Sequence, residues 1–298
     1  MTGGLRSLLS GVLLVIATAA AVVAIWCVWA ERQLLDTATF TTRSVEVIRD
    51  PAVREETAAF LAGQLVDQQE AVRQAAGQLP PELRATVDAL LDGGGETAQA
   101  TALEALETGA FDGLWGEAMT GTHGAFVQWL DDPGQGVELD LQPLIERLAR
   151  DVGLPDQLIA AGSDASGAGA VRIIEAGQYE QTREFARRLE RGAALMAPLA
   201  LVAAVLSVLV ARRRRWAVVR AGAGAALAGV IAAVSAPWIG DQLVAALADD
   251  GAATAVAQAI WASVEPPLSQ LALLVVAAGT GVALLATIAW PGRARADA

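Results

Sequence analysis

Four apolar blocks without a charged residue divide the chain. They cover residues 8–30, 192–211, 221–240 and 271–290. At a rise of 1.5 Å per residue, about 20 helical residues cross the hydrocarbon core of a bilayer. The pattern therefore predicts four transmembrane helices, which we expect to pack as a bundle because small residues recur along them and let helices approach closely. Examples are Gly222, Gly224, Ala225, Ala228 and Gly229 in the third block and Ala277, Gly279 and Gly281 in the fourth.

The first block is interpreted as an uncleaved signal anchor. It is long and ends in Trp26 and Trp29, whereas a cleavable signal peptide has a shorter apolar region followed by a small-residue cleavage site. The segments between and around the blocks are a tail (1–7), a large domain (31–191), a hairpin (212–220), a loop (241–270) and a second tail (291–298).

The large domain has mainly helical patterning. Asp50 and Pro51 are typical of a helix start, as N-cap and first helical residue. An apolar stripe with helical spacing follows them and is expected to face the core: Val53, Ala58, Phe60, Leu61 and Leu65. "VELDL" (137–141) alternates apolar and polar residues, and "AVRIIEA" (170–176) is a second strand candidate. We therefore expect an α+β domain with two short strands packed on helices.

Two further segments are predicted to be helical. The stretch 178–200 has no breaker before Pro198, so its helix should continue into the second span. The loop 241–270 has the pattern of an amphipathic helix broken at Gly251. Such a helix lies on the membrane surface or docks on the large domain.

Charge predicts the orientation in the membrane. The whole chain has a formal net charge of −12, and residues 31–191 contain 28 acidic residues against 13 arginines. Basic residues collect instead at the opposite flanks of the spans, as cytoplasmic flanks do. These topology anchors are Arg6, Arg212, Arg213, Arg214, Arg215, Arg220, Arg293 and Arg295. We expect a multi-pass plasma-membrane protein with both termini in the cytoplasm and residues 31–191 outside.

Most of the eight tryptophans lie near the ends of the apolar blocks. Amphipathic indole rings settle at the level of the lipid headgroups, so their positions support the four spans. The predicted membrane-interface aromatics are Trp26, Trp29, Trp216, Trp238, Trp261 and Trp290.

Candidate chemistry is sparse. The chain has no phosphate-binding loop, no HExxH and no GxSxG motif. Its single histidine, His123, has no sequence-adjacent partner that indicates catalysis, and its single cysteine, Cys27, lies in the first span. The sequence therefore predicts no catalytic residue, no cofactor and no metal ligand. An acidic turn leaves calcium open as an alternative to a solvated turn: Asp131, Asp132, Glu138 and Asp140.

Three functions fit this composition. The first is a non-enzymatic scaffold or interaction module of the cell envelope, contacting the lipid bilayer and a membrane or envelope protein partner or a second copy. The second is an extracytoplasmic ligand-sensing module that signals through a membrane partner. The third is a small transporter or channel. It is ranked last because ion pathways usually contain charged residues inside the spans, and these spans contain none. The Arg-rich hairpin is too short for a nucleic-acid-binding module.

The order of several motifs resembles an uncharacterised family of actinobacterial four-span integral membrane proteins. The matching features are "LDTATF" after the first span, "DPAV" at a helix start, "GLWGEAMTGTHGAFVQWL", "GVELDLQPLIERLARDVGL" and the Arg-rich hairpin. The resemblance implies an actinobacterial cell membrane and a helical external domain, and it implies no catalytic residues.

Overall fold

The computed structural model describes residues 3–67, 99–100, 102–104, 106–107, 109–132, 137–140, 146, 150, 170–174, 180–247 and 251–288. They fall into two compact units. The bundle unit comprises residues 1–35, 182–246 and 264–298, and the helical domain comprises 36–181 and 247–263. The fold is mainly α.

Four long helices are the main elements that enter the bundle unit: α1 (Gly3–Leu34), α5 (Glu180–Val210), α6 (Arg214–Leu247) and α7 (Gly251–Ile288). Each is long and apolar enough to cross a membrane. These helices match the four predicted spans and are consistent with a multi-pass membrane protein. Each has more than 30 residues, so at 1.5 Å per residue each is about 45 Å or longer and exceeds the thickness of a hydrocarbon core.

The segment 241–270 is helical over residues 241–247 and 251–270, and these stretches are continuous with the helices of the third and fourth spans. Helix α6 continues to Leu247, and α7 begins at Gly251 and passes through Pro266 and Pro267 without ending. The two prolines lack the N–H groups that the carbonyls of residues 262 and 263 need in a regular helix. The apolar, Ala-rich sequence on both sides supports the helix, so the prolines lie inside it. Gly251 is the first residue of α7, and residues 248–250 lie outside the described part.

The helical domain contains α2 (Thr37–Ile48), α3 (Pro51–Asp67) and α4 (Gly109–Asp131). Asp36 is the N-cap of α2, where its carboxylate accepts a hydrogen bond of 2.7 Å from the Thr39 amide. Asp50 accepts a 3.0 Å bond from the Ala52 amide, and α3 starts at Pro51, so the predicted helix start is confirmed.

Two short strands also belong to this unit. Strand β1 (Val137–Asp140) pairs antiparallel with β2 (Ala170–Ile174), with Leu139 opposite Val171 and a register shift after Val137. Val137 is almost fully buried. The first residue of β1 therefore lies in the interior of the helical domain.

The core of the helical domain joins helices that are distant in sequence. Its buried residues are Ile48, Val53, Ala58, Ala102, Leu106 and Phe111. Val256 and Ala259, from the first turns of α7, pack against this cluster. The segment after Gly251 therefore packs on the domain, which is one of the two placements open from the sequence.

Candidate functional site

Helices α6 and α7 touch through their backbones. A Cβ added at Gly279 would lie 2.5 Å from the backbone nitrogen of Ala226 and 2.5 Å from the carbonyl oxygen of Gly222. A Cβ added at Gly222 would lie 2.5 Å from the Gly279 carbonyl oxygen and 2.8 Å from the Ala283 nitrogen. Only glycine allows so close an approach.

The same contact recurs two helical turns away. A Cβ at Gly229 would lie 2.5 Å from the carbonyl oxygen of Ala272. The expectation of close helix packing is confirmed for Gly222, Gly229 and Gly279. It is wrong for Gly281, because a Cβ added there would meet no atom within 4 Å. Gly281 lies two residues from Gly279, about 200° around the helix, and faces away from α6.

Helix α1 packs against two neighbours. A Cβ at Gly224 of α6 would lie 2.7 Å from the Thr18 hydroxyl, and one at Gly192 of α5 would lie 2.7 Å from the Cys27 sulfur. The lone thiol is therefore a packing group against α5. At the same end of α1 as Cys27, the Trp29 indole N–H donates a 2.9 Å hydrogen bond to the Val264 carbonyl of α7.

Two serines join α1 to α5 within the apolar spans. The Ser207 hydroxyl donates to the Ser10 carbonyl at 2.9 Å, and the Ser10 hydroxyl lies 3.0 Å from the Ser207 carbonyl. Ser207 is almost fully buried. Polar groups in an apolar environment need such internal partners. Ser10 was not singled out from the sequence, where a lone hydroxyl in an apolar block has no distinguishing neighbour.

These contacts bring the predicted anchors to one end of the bundle unit. Ser10 places the start of α1 beside the end of α5, and the Arg215 guanidinium donates a 3.2 Å hydrogen bond to the Thr287 carbonyl near the end of α7. A guanidinium there satisfies a terminal carbonyl and complements the helix dipole. The anchors Arg6, Arg212, Arg213, Arg214 and Arg220 are exposed at this end, and Arg293 and Arg295 lie outside the described residues.

The predicted interface aromatics have different surroundings. Trp216 and Trp238 on α6 are exposed, at 54% and 65% of their surface. Trp26 and Trp29 are half-buried and pack edge to face at 5.5 Å, and Trp261 is half-buried within the helical domain's part of α7. Trp290 lies outside the described part of the chain. The headgroup role of these side chains stays a prediction.

His123 holds two helices of the domain together. Its Nδ1 lies 3.0 Å from the Thr37 hydroxyl, and its ring stacks on Phe40 with 4.2 Å between ring centres. The side chain is 4% exposed, so its surroundings are those of a packed core group. The Phe126 ring is tilted against the His123 ring with 6.0 Å between ring centres, and it in turn stacks on Trp129.

The contact between α2 and α4 extends along the whole of α2. The Thr41 and Thr120 hydroxyls lie 3.0 Å apart, and the Trp115 indole donates to the Ser44 carbonyl at 3.3 Å. At the far end, the Arg49 guanidinium lies 2.8 Å from the Asp112 carboxylate.

These contacts explain two of the sequence motifs. "LDTATF" forms the start of α2, and "GLWGEAMTGTHGAF" is the part of α4 that packs against it. A Cβ at Gly116 would lie 3.4 Å from the Val45 side chain, so a small residue keeps the two helices close. The residues of these two motifs therefore hold α2 and α4 together.

The acidic turn is only partly described. Asp131 is the last residue of α4, and the Asp132 amide bonds the Gln128 carbonyl at 2.9 Å as the helix ends. Both side chains are exposed, and the side chains of Glu138 and Asp140 lie outside the described set. Among described residues, no group of three or more His, Cys, Asp or Glu side chains converges to hold a metal ion.

Comparison with protein-family models, with curated proteins and with solved structures finds no match to this chain. The class that its fold defines is a mainly α protein with four helices able to span a membrane.

Proposed function

We propose that this chain is a non-enzymatic integral membrane protein of the cell envelope, which acts as a scaffold that presents a helical interaction domain to a partner protein. The observation that carries this proposal is the backbone contact between α6 and α7 at Gly222 and Gly279. A contact of this kind leaves no space for solute between these helices. The Ser10–Ser207 pair likewise uses its hydroxyls in helix packing.

The orientation in this proposal has residues 31–191 outside the cell and both termini in the cytoplasm. The exposed arginines at one end of the bundle unit support it, because basic residues next to spans are retained on the cytoplasmic side. The plasma membrane is the proposed location, in agreement with the resemblance to the actinobacterial family.

Labelling of single cysteines tests the orientation. In a Cys27→Ser background, cysteine is introduced at the exposed Glu56 of α3 or at the exposed Arg212 of the hairpin. A membrane-impermeant maleimide added to intact cells should label the protein at position 56 alone, and permeabilised cells should show labelling at both positions. Labelling of position 212 in intact cells would contradict the proposed orientation.

The interaction surface is proposed to include Phe60 on α3. Within the described part of the helical domain, Phe60 and Ile260 are large apolar side chains that remain nearly half exposed, at 47% and 46%. Large aromatic side chains are enriched at protein interfaces. Phe60 was predicted to lie on the buried stripe of its helix, and its exposure is a correction to that expectation.

Site-specific photo-crosslinking tests the scaffold function. The chain contains no lysine, so amine-reactive reagents are unsuitable and benzoylphenylalanine is placed at position 60. The matched control places it at the exposed Glu55, about 140° around the same helix. Irradiation of whole cells should yield one partner protein from position 60 and little from position 55. No adduct, or adducts only with copies of this chain, would contradict the proposal and make solute flux in vesicles the next measurement.

A further inference from the structure

The outward face of α6 changes character along its length. Arg213 directly precedes the helix, and its carbonyl accepts a 3.2 Å hydrogen bond from the Ala217 amide in the first turn. Arg213, Trp216 and Arg220 are three or four residues apart and all exposed. Positions with this spacing lie on one helical face. Further along, the exposed side chains of the same helix are apolar, among them Leu227 at 53% and Val234 at 72% exposure.

The apolar part of this face is about as long as the hydrocarbon core of a bilayer is thick. From Arg220 to the exposed Trp238 the helix rises about 27 Å, close to the roughly 30 Å of hydrocarbon in a bilayer. The buried positions of α6, such as Ala228, Ala232 and Ala236, lie on its other side. The basic end and the apolar stretch therefore belong to one continuous surface outside the helix contacts.

The arginines at this end differ in their contacts. Arg215 bonds the Thr287 carbonyl and so stabilises the end of α7. Arg213 and Arg220 are exposed, three residues before and four residues after the exposed Trp216. A guanidinium binds phosphate in a planar, two-point geometry, and an indole ring is stable at the headgroup level.

We propose that this face of α6 binds an anionic phospholipid, with the headgroup phosphate on Arg213 and Arg220 and an acyl chain along Leu227 and Val234. The charge alone would also suit an acidic protein segment. The apolar continuation of the face favours lipid, because an acyl chain needs apolar surface directly below its headgroup. This proposal goes beyond the scaffold function and does not depend on a protein partner.

Lipid binding by the purified full chain in mild detergent tests the proposal. The probes are tail-labelled phosphatidylglycerol and tail-labelled phosphatidylcholine with identical acyl chains, followed by fluorescence anisotropy. The natural chain should bind the anionic lipid more tightly. The variant R213Q/R220Q should lose this preference by about fivefold for each arginine, because each basic residue near an anionic surface contributes about 1 kcal/mol.

Two control variants separate a site from a general charge effect. R187Q/R191Q removes the same charge from exposed positions near the start of α5 and should keep the preference. R213K/R220K keeps the positive charge and should retain most of the preference for the anionic lipid. The melting temperatures of all variants check that they are folded. Equal losses in R213Q/R220Q and R187Q/R191Q, or no preference in the natural chain, would overturn the proposal. So would unchanged lipid binding in R213Q/R220Q with a reduced yield of the crosslinked partner, which would indicate an acidic protein segment instead.

Discussion

Replacing Gly279 by alanine is expected to destabilise the bundle unit by about 1–3 kcal/mol, and replacing it by leucine by more. The added Cβ would lie 2.5 Å from two backbone atoms of α6, Ala226 N and Gly222 O. Backbone atoms in a packed helix cannot rotate away as a flexible side chain does, so the two helices must separate. Thermal unfolding of the purified full chain in mild detergent, followed by tryptophan fluorescence, measures the effect.

Gly281 provides the matched control on the same helix. An alanine there meets no atom within 4 Å, so it should leave the melting temperature unchanged or slightly raise it. Alanine favours helix over glycine by roughly 1 kcal/mol at either position, and the difference between the two variants therefore isolates the contact with α6. Equal melting temperatures for the two alanine variants would show that α6 and α7 are not in backbone contact.

Replacing His123 by alanine is expected to cost the helical domain about 3 kcal/mol of unfolding free energy, the usual loss for a large buried ring. The variant removes the stacking on Phe40 and leaves the Thr37 hydroxyl without its Nδ1 partner. Denaturant unfolding of the full chain in mild detergent, followed by tryptophan fluorescence, checks this value. Trp115 and Trp129 lie on the same helix as His123 and report on its surroundings.

Two variants make this prediction specific. His123→Asn keeps a side-chain acceptor near the Nδ1 position but loses the ring, so it should recover only part of the stability. Glu117→Ala, at an exposed position on the same helix, should change the unfolding free energy by less than about 0.5 kcal/mol. An alanine at position 123 that left stability intact but abolished partner capture would show that His123 serves recognition and not packing.

The local features were predictable because their causes are local. An uncharged run of 20 residues is sufficient to indicate a span, and the four long apolar helices agree with the four blocks. Asp50 and Pro51 indicate a helix start through the hydrogen bonding and backbone geometry of those two residues alone. The composition of 178–200 likewise predicted the continuous helix α5.

The pairing of helices was decided only in the tertiary structure. In the sequence, Gly279 and Gly281 are equivalent small residues, and which one touches α6 depends on how α7 is rotated against its neighbour. His123 likewise had no visible partner, because Thr37 and Phe40 lie more than 80 residues away in the chain.

By itself the sequence determined the four apolar helices, the helix start at Asp50 and Pro51 and the separation of arginines from acidic residues. The tertiary structure decided that α2 packs on α4, that the first turns of α7 join the domain core, and that Arg215 bonds the end of α7 while Arg213 and Arg220 stay exposed. The physical reason is the range of the interactions. Hydrophobicity, capping and charge bias act over a few neighbouring residues, whereas a packing contact depends on two surfaces whose facing atoms are set by the whole fold.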